Sequence, residues 1–542
     1  MTGKMITLLT ALAIIANGCR QADAVFSWED ASEFAYPVWK GEKTGAIASI
    51  SSKDDLKNVR VKVSGFRGGN GTIPASAAQV YFIREVMADT FLEGYGQCGN
   101  RRKEDFDSLL VADMLDPVTS VDIPSGHNQK IWMSIRIPSD AGPGTYRGQM
   151  TLTSDKGRET IPVEFEVAPY TLPEPSEWAF HLDLWQNPYA VARYHGLEPW
   201  SSEHFRHMEP VMKILADAGQ KVITATILDR PWNGQTEDPF GSMVTKILTK
   251  DGTWEYDYEV FDRWVEFMMG LGIDRQINCY SMIPWKLEFD YFDEASGKTR
   301  YIRCAPSSNE YRLYWGNFIS DFAAHLREKG WFEKTVIAMD ERSEEDMKIV
   351  MQLIHGVEPD FKVSLAGNGH PSLEEHLYDY CLAFRQSFPQ EVLRKRKEEG
   401  KISTFYTCCA ERYPNTFLIS PQSEATWIPW HAFAKGYDGY LRWAYNSWTK
   451  DPVRDARFRS WPAGDCFIVY PDGRSSVRME RLLEGIQDYE KARLSMQRWE
   501  TEGDTASISR MKKALERFNF ADLTDNGAED ALKEAKSALA GI

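Results

Sequence analysis

The sequence predicts an antiparallel β-sandwich followed by a (β/α)8 barrel with a small C-terminal cap, on three observations. Short segments of period-two alternation fill residues 25–175. A proline-punctuated stretch, "YTLPEPSEW", then breaks the pattern. Beyond it, short apolar runs alternate with amphipathic helical ones.

Taken in order, residues 1–24 read as an export signal. Lys4 precedes an apolar run from Met5 to Ala16 that is too short to span a bilayer as a mature helix. "ANGC" resembles a loose lipobox ending in Cys19, and "ADA" at 22–24 suits ordinary signal peptidase. Either cut implies an exported chain, in the periplasm or anchored to the outer membrane as a lipoprotein. In residues 25–175, "VRVKVSG", "QVYFIREV" and the run from "IWMSIRIPSD" to "IPVEFEV" alternate apolar and polar positions between Gly and Pro breaks, the pattern of a sandwich. Two prolines within three residues make the following stretch a stiff boundary.

Residues 176–450 carry eight strand candidates: "AFHLDLW", "KVITATIL", "RQINCYSM", "TVIAMDE", "KVSLAGN", "DYCLAF", "KISTFYTC" and "GYLRWAYN". Helical patterns such as "HFRHMEPVMKILADAG" and "NEYRLYWGNFISDFAAHLREKG", each stopped by Gly, separate most of them. That is the arithmetic of a barrel. Two insertions, after the second and third strands, fall where loops build a barrel's active face. Residues 451–542, from "GDCFIVYPDG" to a long helical run, read as a β/helical cap.

Composition narrows the function classes. A formal charge of -16 gives no basis for binding nucleic acid, and a mean hydropathy of -0.44 argues against a multi-span membrane protein. Any membrane association would run through the lipid. Aromatic residues make up 13% of the chain, many beside polar groups, and such rings suit sugar faces as well as cores. The eight cysteines show no C-x-x-C pair, and Cys408 and Cys409 are expected to be buried free thiols. "HFRH" and "HPSLEEH" offer no third ligand at a suitable spacing, so no metal and no cofactor is expected.

Asp340 and Glu341 stand together where the fourth barrel strand ends, the edge that faces a barrel's reaction site. Two neighbouring carboxyls resist joint ionisation, so one can hold a proton near neutral pH and act as a general acid. The rival reading is a charged helix start; yet Ser343 and the acids at 344–346 supply that cap without the pair. Tyr406 and Tyr445, near the ends of the seventh and eighth strands, are placed to donate to a substrate oxygen, with core packing as the alternative. Trp443 and Trp448 could floor a sugar pocket, and His181 and Asp183 on the first strand could bind hydroxyls.

The "MDE" strand end, "GYLRWAYNSW", "DPVRDARFRSWPAGDCFIVYP" and "SSVRMERLLEGIQDYEK" resemble glycoside hydrolase family 123, the exported β-N-acetylgalactosaminidases also described as domain of unknown function 4091. The resemblance runs from roughly Trp178 to Trp499. It departs at Arg342, where the family more often has Pro, a change expected to touch the loop and not the carboxylates. The resemblance implies a glycan or glycolipid substrate with a terminal β-linked N-acetylgalactosamine and a retaining, substrate-assisted mechanism. Asp340 would then orient the 2-acetamido group and Glu341 would serve as general acid and base. The alternatives are a glycosidase pairing one of these acids with a distant Asp183 or Asp229, and a non-catalytic glycan-binding surface protein.

Overall fold

In a computed structural model of the protein, residues 24–541 are described, apart from 30–33, 69–70, 90–97 and 99–106. The proposed export signal, including Cys19, lies outside the described residues except for Ala24. Among the described residues no helix is long and apolar enough to cross a membrane.

Two sheets make the N-terminal part. One has five strands, all antiparallel, in the order Ala24–Trp28, Lys43–Ser52, Asn128–Arg136, Ala78–Asp89, Ser108–Asp116. The other is centred on the hairpin Gly144–Ser154 and Gly157–Thr171, and its edge strand Val38–Lys40 runs parallel to its neighbour. Side chains on the facing sides of the two sheets, Ile50, Ile131 and Met133 against Met150, Leu152 and Phe165, share one core.

The second part is a nearly closed barrel of eight parallel strands: β1 (His181–Leu184), β2 (Val222–Thr226), β3 (Gln276–Tyr280), β4 (Thr335–Asp340), β5 (Lys362–Gly367), β6 (Asp379–Ala383), β7 (Ile402–Tyr406) and β8 (Gly439–Arg442). Neighbours pair in chain order from β2 to β8, and β8 pairs with β1. At the β1–β2 seam the ladder thins to one bridge, Leu182 with Gln220. Two buried glutamines stand in for the missing bonds: Gln220 Oε1 accepts from Leu184 N (3.0 Å), and Gln186 Oε1 from Thr224 N (2.8 Å). Such buried backbone groups need partners, and side chains supply them.

Helices cover the outside, among them α1 (Pro188–His195), α2 (Ser202–Asp217), α3 (Glu259–Gly270), α4 (Asn309–Lys329), α5 (Glu344–Val357), α6 (Gln390–Glu398) and α7 (Gln422–Lys435). Their starts follow the local chemistry, as where Ser201, Ser308 and Ser343 each accept a backbone N–H from the first turn. The insertions after β2 and β3 join in one four-stranded sheet, Ile247 pairing with Phe292.

The C-terminal segment differs from expectation. "GDCFIVYPDG" forms no strand, only isolated bridges such as Asn446 with Phe467, because it has no continuous neighbour to pair with. Helix α8 (Val477–Glu502) starts there, packs along α7 and also touches the first sheet. Arg478 at its start is buried. Its guanidinium bonds Asp113 of the first sheet (Nη2 to Oδ2, 2.9 Å) and the carbonyls of Thr416, Gly464 and Phe467. Removing one partner of a buried pair strands the other charge. Arg478→Met is therefore expected to cost about 3–5 kcal/mol in a urea unfolding titration, whereas a purely exposed pair would cost about 1 or less.

Candidate active site

Strand β4 delivers the acidic pair. Asp340 is its last residue and Glu341 the first beyond it, with Glu341 N donating to Ala366 O of β5 at 2.7 Å. A regular strand would send these neighbours to opposite faces. Glu341 instead takes φ 50°, the left-handed region that a residue with a Cβ seldom enters. The reversal turns both carboxylates to one cleft. Gly367 makes room for it, since a Cβ there would lie 3.2 Å from Glu341 Cα. The α5 cap is independent of the pair: Ser343 Oγ accepts from Asp346 N (3.2 Å), and three acids fill the first turn.

The cleft is a cavity of about 180 Å³ at the C-terminal ends of the strands. Asp340, Glu341, Tyr406, Trp185, Trp285, Trp443 and Trp461 surround it. It is smaller than the roughly 300–1,000 Å³ of drug-sized sites. Tyr406 Oη donates to Glu341 Oε1 at 3.0 Å. Burial, then the Glu341 charge, push the Tyr406 phenol upward, so it remains a donor. Asp340 Oδ2 accepts the indole N–H of Trp285 at 3.2 Å. Burial, with the Glu341 carboxylate next, raises Asp340 to about 7, against the opposing pull of the Trp285 N–H and Arg342.

The chain as a whole has counterparts among known proteins. Residues 185–495 match glycoside hydrolase 123, catalytic domain, and residues 24–154 match the glycoside hydrolase 123 N-terminal domain. The chain belongs to glycoside hydrolase family 123. A solved family 123 glycoside hydrolase from Clostridium perfringens, described for glycolipid glycan hydrolysis, superposes with a TM-score of 0.85 at 26% identity. That likeness spans 96% of this chain and 98% of the other. A Parabacteroides merdae β-glucuronidase reaches a TM-score of only 0.29 at 11% identity, over 87% of this chain and 52% of its own, and bears no weight. No curated protein matches.

Within this family 123 chain, four of the eight residues singled out from the sequence meet at the cavity: Asp340, Glu341, Tyr406 and Trp443. The others do not. Tyr445 is fully buried, its hydroxyl donating to Val211 O (2.7 Å) on the helix side, and Trp448 is buried with its N–H on Val469 O (2.8 Å). Both lie past the end of β8 at Arg442, where strand alternation no longer sets direction. His181 and Asp183 sit inside the barrel. They form a buried polar layer with Asn278 and Asp379: His181 Nε2 is 3.5 Å from Asp379 Oδ2, and Asn278 Nδ2 donates to Asp183 Oδ2 at 3.4 Å. Asp229, the other distant acid, accepts from Arg230 Nε and Tyr301 Oη, both at 2.9 Å, and lies outside the cavity lining.

Other lining residues were not anticipated. Trp185 ends β1, so the strand-end rule that selected Asp340 could have found it. Trp285 belongs to the β3 insertion, and Trp461 follows β8 and bonds Gln235 O (2.8 Å) from the β2 insertion. Cys409 is not a free thiol: it forms a disulfide with Cys98, 311 positions away, and both line the cavity. Spacing cannot reveal a pair that distant. Arg342 also does more than shape a loop. Its Nε donates to Asp340 O (2.7 Å), and its guanidinium lies 5.6 Å from the Trp285 ring, so it braces the indole that touches the carboxylate. Trp285→Phe removes the N–H that lowers Asp340. The limb of kcat/KM near pH 7 is expected to move up by roughly half to one pH unit, read from a pH–rate profile.

Proposed function

We propose that this glycoside hydrolase removes terminal β-linked N-acetylgalactosamine by substrate-assisted retention, the acetamido oxygen attacking its own anomeric carbon. The observation that carries the reading is the adjacency of the two acids. Direct-displacement retention needs carboxyls about 5 Å apart on opposite sides of the anomeric carbon, and inversion needs more. Neighbours on one strand end serve atoms a few bonds apart on one sugar.

The roles follow from the surroundings. Asp340, raised to about 7 by burial and the Glu341 charge, holds a proton much of the time. A substrate amide N–H pointing at it favours its anion, and the pair's proton then belongs on Glu341, facing the glycosidic oxygen. Glu341 donates that proton as the leaving group departs and takes one back from the incoming water. The Asp340 charge offsets the positive charge growing on the acetamido nitrogen. Tyr406, already on Glu341, is within the same cluster to donate to the acetamido oxygen. Trp185, Trp285, Trp443 and Trp461 present ring faces and edges to the pyranose.

A glycolipid glycan is a fitting substrate class, since the Clostridium perfringens enzyme is described with one. Export to the periplasm or the outer surface fits the apolar N-terminal run, and a disulfide that ties the cleft suits an oxidising compartment. The selectivity test uses two aryl glycosides. The β-GalNAc compound is expected to be cleaved and the plain β-galactoside to resist, because the latter lacks the nucleophile. Comparable rates on both would overturn substrate assistance and return the reading to direct displacement.

A further inference from the structure

A second cluster lies well away from this cavity. His195 is the last residue of α1, and His207 lies in α2, their ring centroids 4.0 Å apart. Asp472, in the turn Pro471–Gly473 before α8, places Oδ1 3.5 Å from His195 Nε2. One donor atom from each of the three lies within 4.8 Å of the others. None of the three lines the catalytic cavity.

Three features separate this group from a chance meeting of polar side chains. His195 Nε2 is buried and makes no hydrogen bond, a condition that buried nitrogens rarely sustain. Asp472 holds φ 61°, ψ 29°, a conformation that a residue with a side chain seldom adopts. The turn is held in that shape by its seat on α2, where a Cβ on Gly473 would come within 2.8 Å of Pro210 Cβ. Finally, Arg474 Nη1 occupies Asp472 Oδ2 at 2.7 Å, which leaves Oδ1 directed at the imidazole. His207 has an outer partner of its own, Glu203 Oε1, 3.3 Å from its Nε2.

We propose that His195, His207 and Asp472 bind a divalent transition metal of the zinc type, clasping the C-terminal turn to α1 and α2. Two imidazoles and one carboxylate form a mixed nitrogen–oxygen set, which suits Zn²⁺ and its neighbours and disfavours Mg²⁺ or Ca²⁺, which take oxygen cages. A tetrahedral ion with bonds of about 2.0–2.1 Å draws its donors closer than they now stand. Small side-chain rotations supply that contraction, with water or Glu203 as fourth ligand. In "HFRH", whose spacing offers no third ligand, His207 stands beside His204. The fold uses His204 for structure: its ring nitrogens pair with Trp200 N (2.9 Å) and Pro188 O (2.8 Å).

The test uses untagged full-length protein stripped with chelator, titrated with Zn²⁺ against a chromophoric competitor. One equivalent is expected to bind, with no comparable response to Mg²⁺. His207→Gln and Asp472→Asn should each weaken binding by about tenfold or more; Asn keeps the left-handed backbone accessible, so that variant folds. Zn²⁺ should raise the Tm of the wild type and not of the variants, with kcat/KM on an aryl glycoside unchanged. His376→Gln, outside the cluster, should bind as the wild type does. No stoichiometric binding, or binding that survives both substitutions, would overturn the site.

Discussion

Glu341→Gln is expected to lose about 10²- to 10⁴-fold in kcat/KM on substrates with poor leaving groups, and far less on an activated aryl glycoside. The asymmetry comes from the chemistry of the departing oxygen, which needs a proton only when it is a strong base. The loss should appear without a change of fold, because among the described residues Glu341 bonds the Tyr406 hydroxyl and, through its N–H, Ala366 O, and the backbone bond survives the change. Kinetics across leaving groups of graded pKa provide the measurement. A flat profile for this variant would mean that the proton donor is another group.

Asp340→Asn carries the second large effect, and its signature is different. The charge that stabilises the oxazolinium-like species is lost, so both leaving-group classes should slow alike, again by at least about 10²-fold. The pH dependence separates the variants further. Asp340 must be anionic in the transition state, yet the free enzyme raises it to about 7. The reaction also needs the pair's one proton at Glu341, so the wild type's kcat/KM is expected to fall about tenfold per pH unit above that value, and the Asn variant should lack this limb. Stability has a pH dependence of its own. A carboxyl raised by the fold favours its protonated form, so its contribution is whole below its ordinary value near 3.8 and is lost as pH rises through about 7. Asp340→Asn should therefore raise Tm relative to the wild type at pH 8 and have little effect at pH 4. A variant that is less stable at both would show that Asp340 is held for structure.

How far the sequence could be read depends on whether local pattern or distant contact decided each feature. Barrel strands were legible because each is a short apolar run bounded by its own turn. The pair Asp340–Glu341 was legible because a strand end and an independent Ser343 cap are both local. Its geometry was not: nothing in "AMDER" announces a left-handed Glu341, which depends on the room left by Gly367 on the next strand. Tyr445 and Trp448 misled because their spacing from Trp443 imitates a strand that has already ended. Trp285, Trp461 and the Cys98–Cys409 bridge reach the cavity from insertions and from the sandwich, so their relation to Asp340 exists only in the folded chain. The same holds for His195, His207 and Asp472, which come from two helices and a turn.

In the proposed reaction the sugar's acetamido oxygen, and no side chain, attacks the anomeric carbon. The decisive measurement is kcat/KM for aryl β-GalNAc substrates whose N-acetyl group carries none, one, two or three fluorines. Each fluorine withdraws electrons from the carbonyl and weakens it as a nucleophile while leaving the anomeric centre intact. A steep, monotonic fall across the series is expected in the wild type, with retained configuration in the first-formed product. Rates that stay level as fluorine is added, or an inverted product, would contradict it.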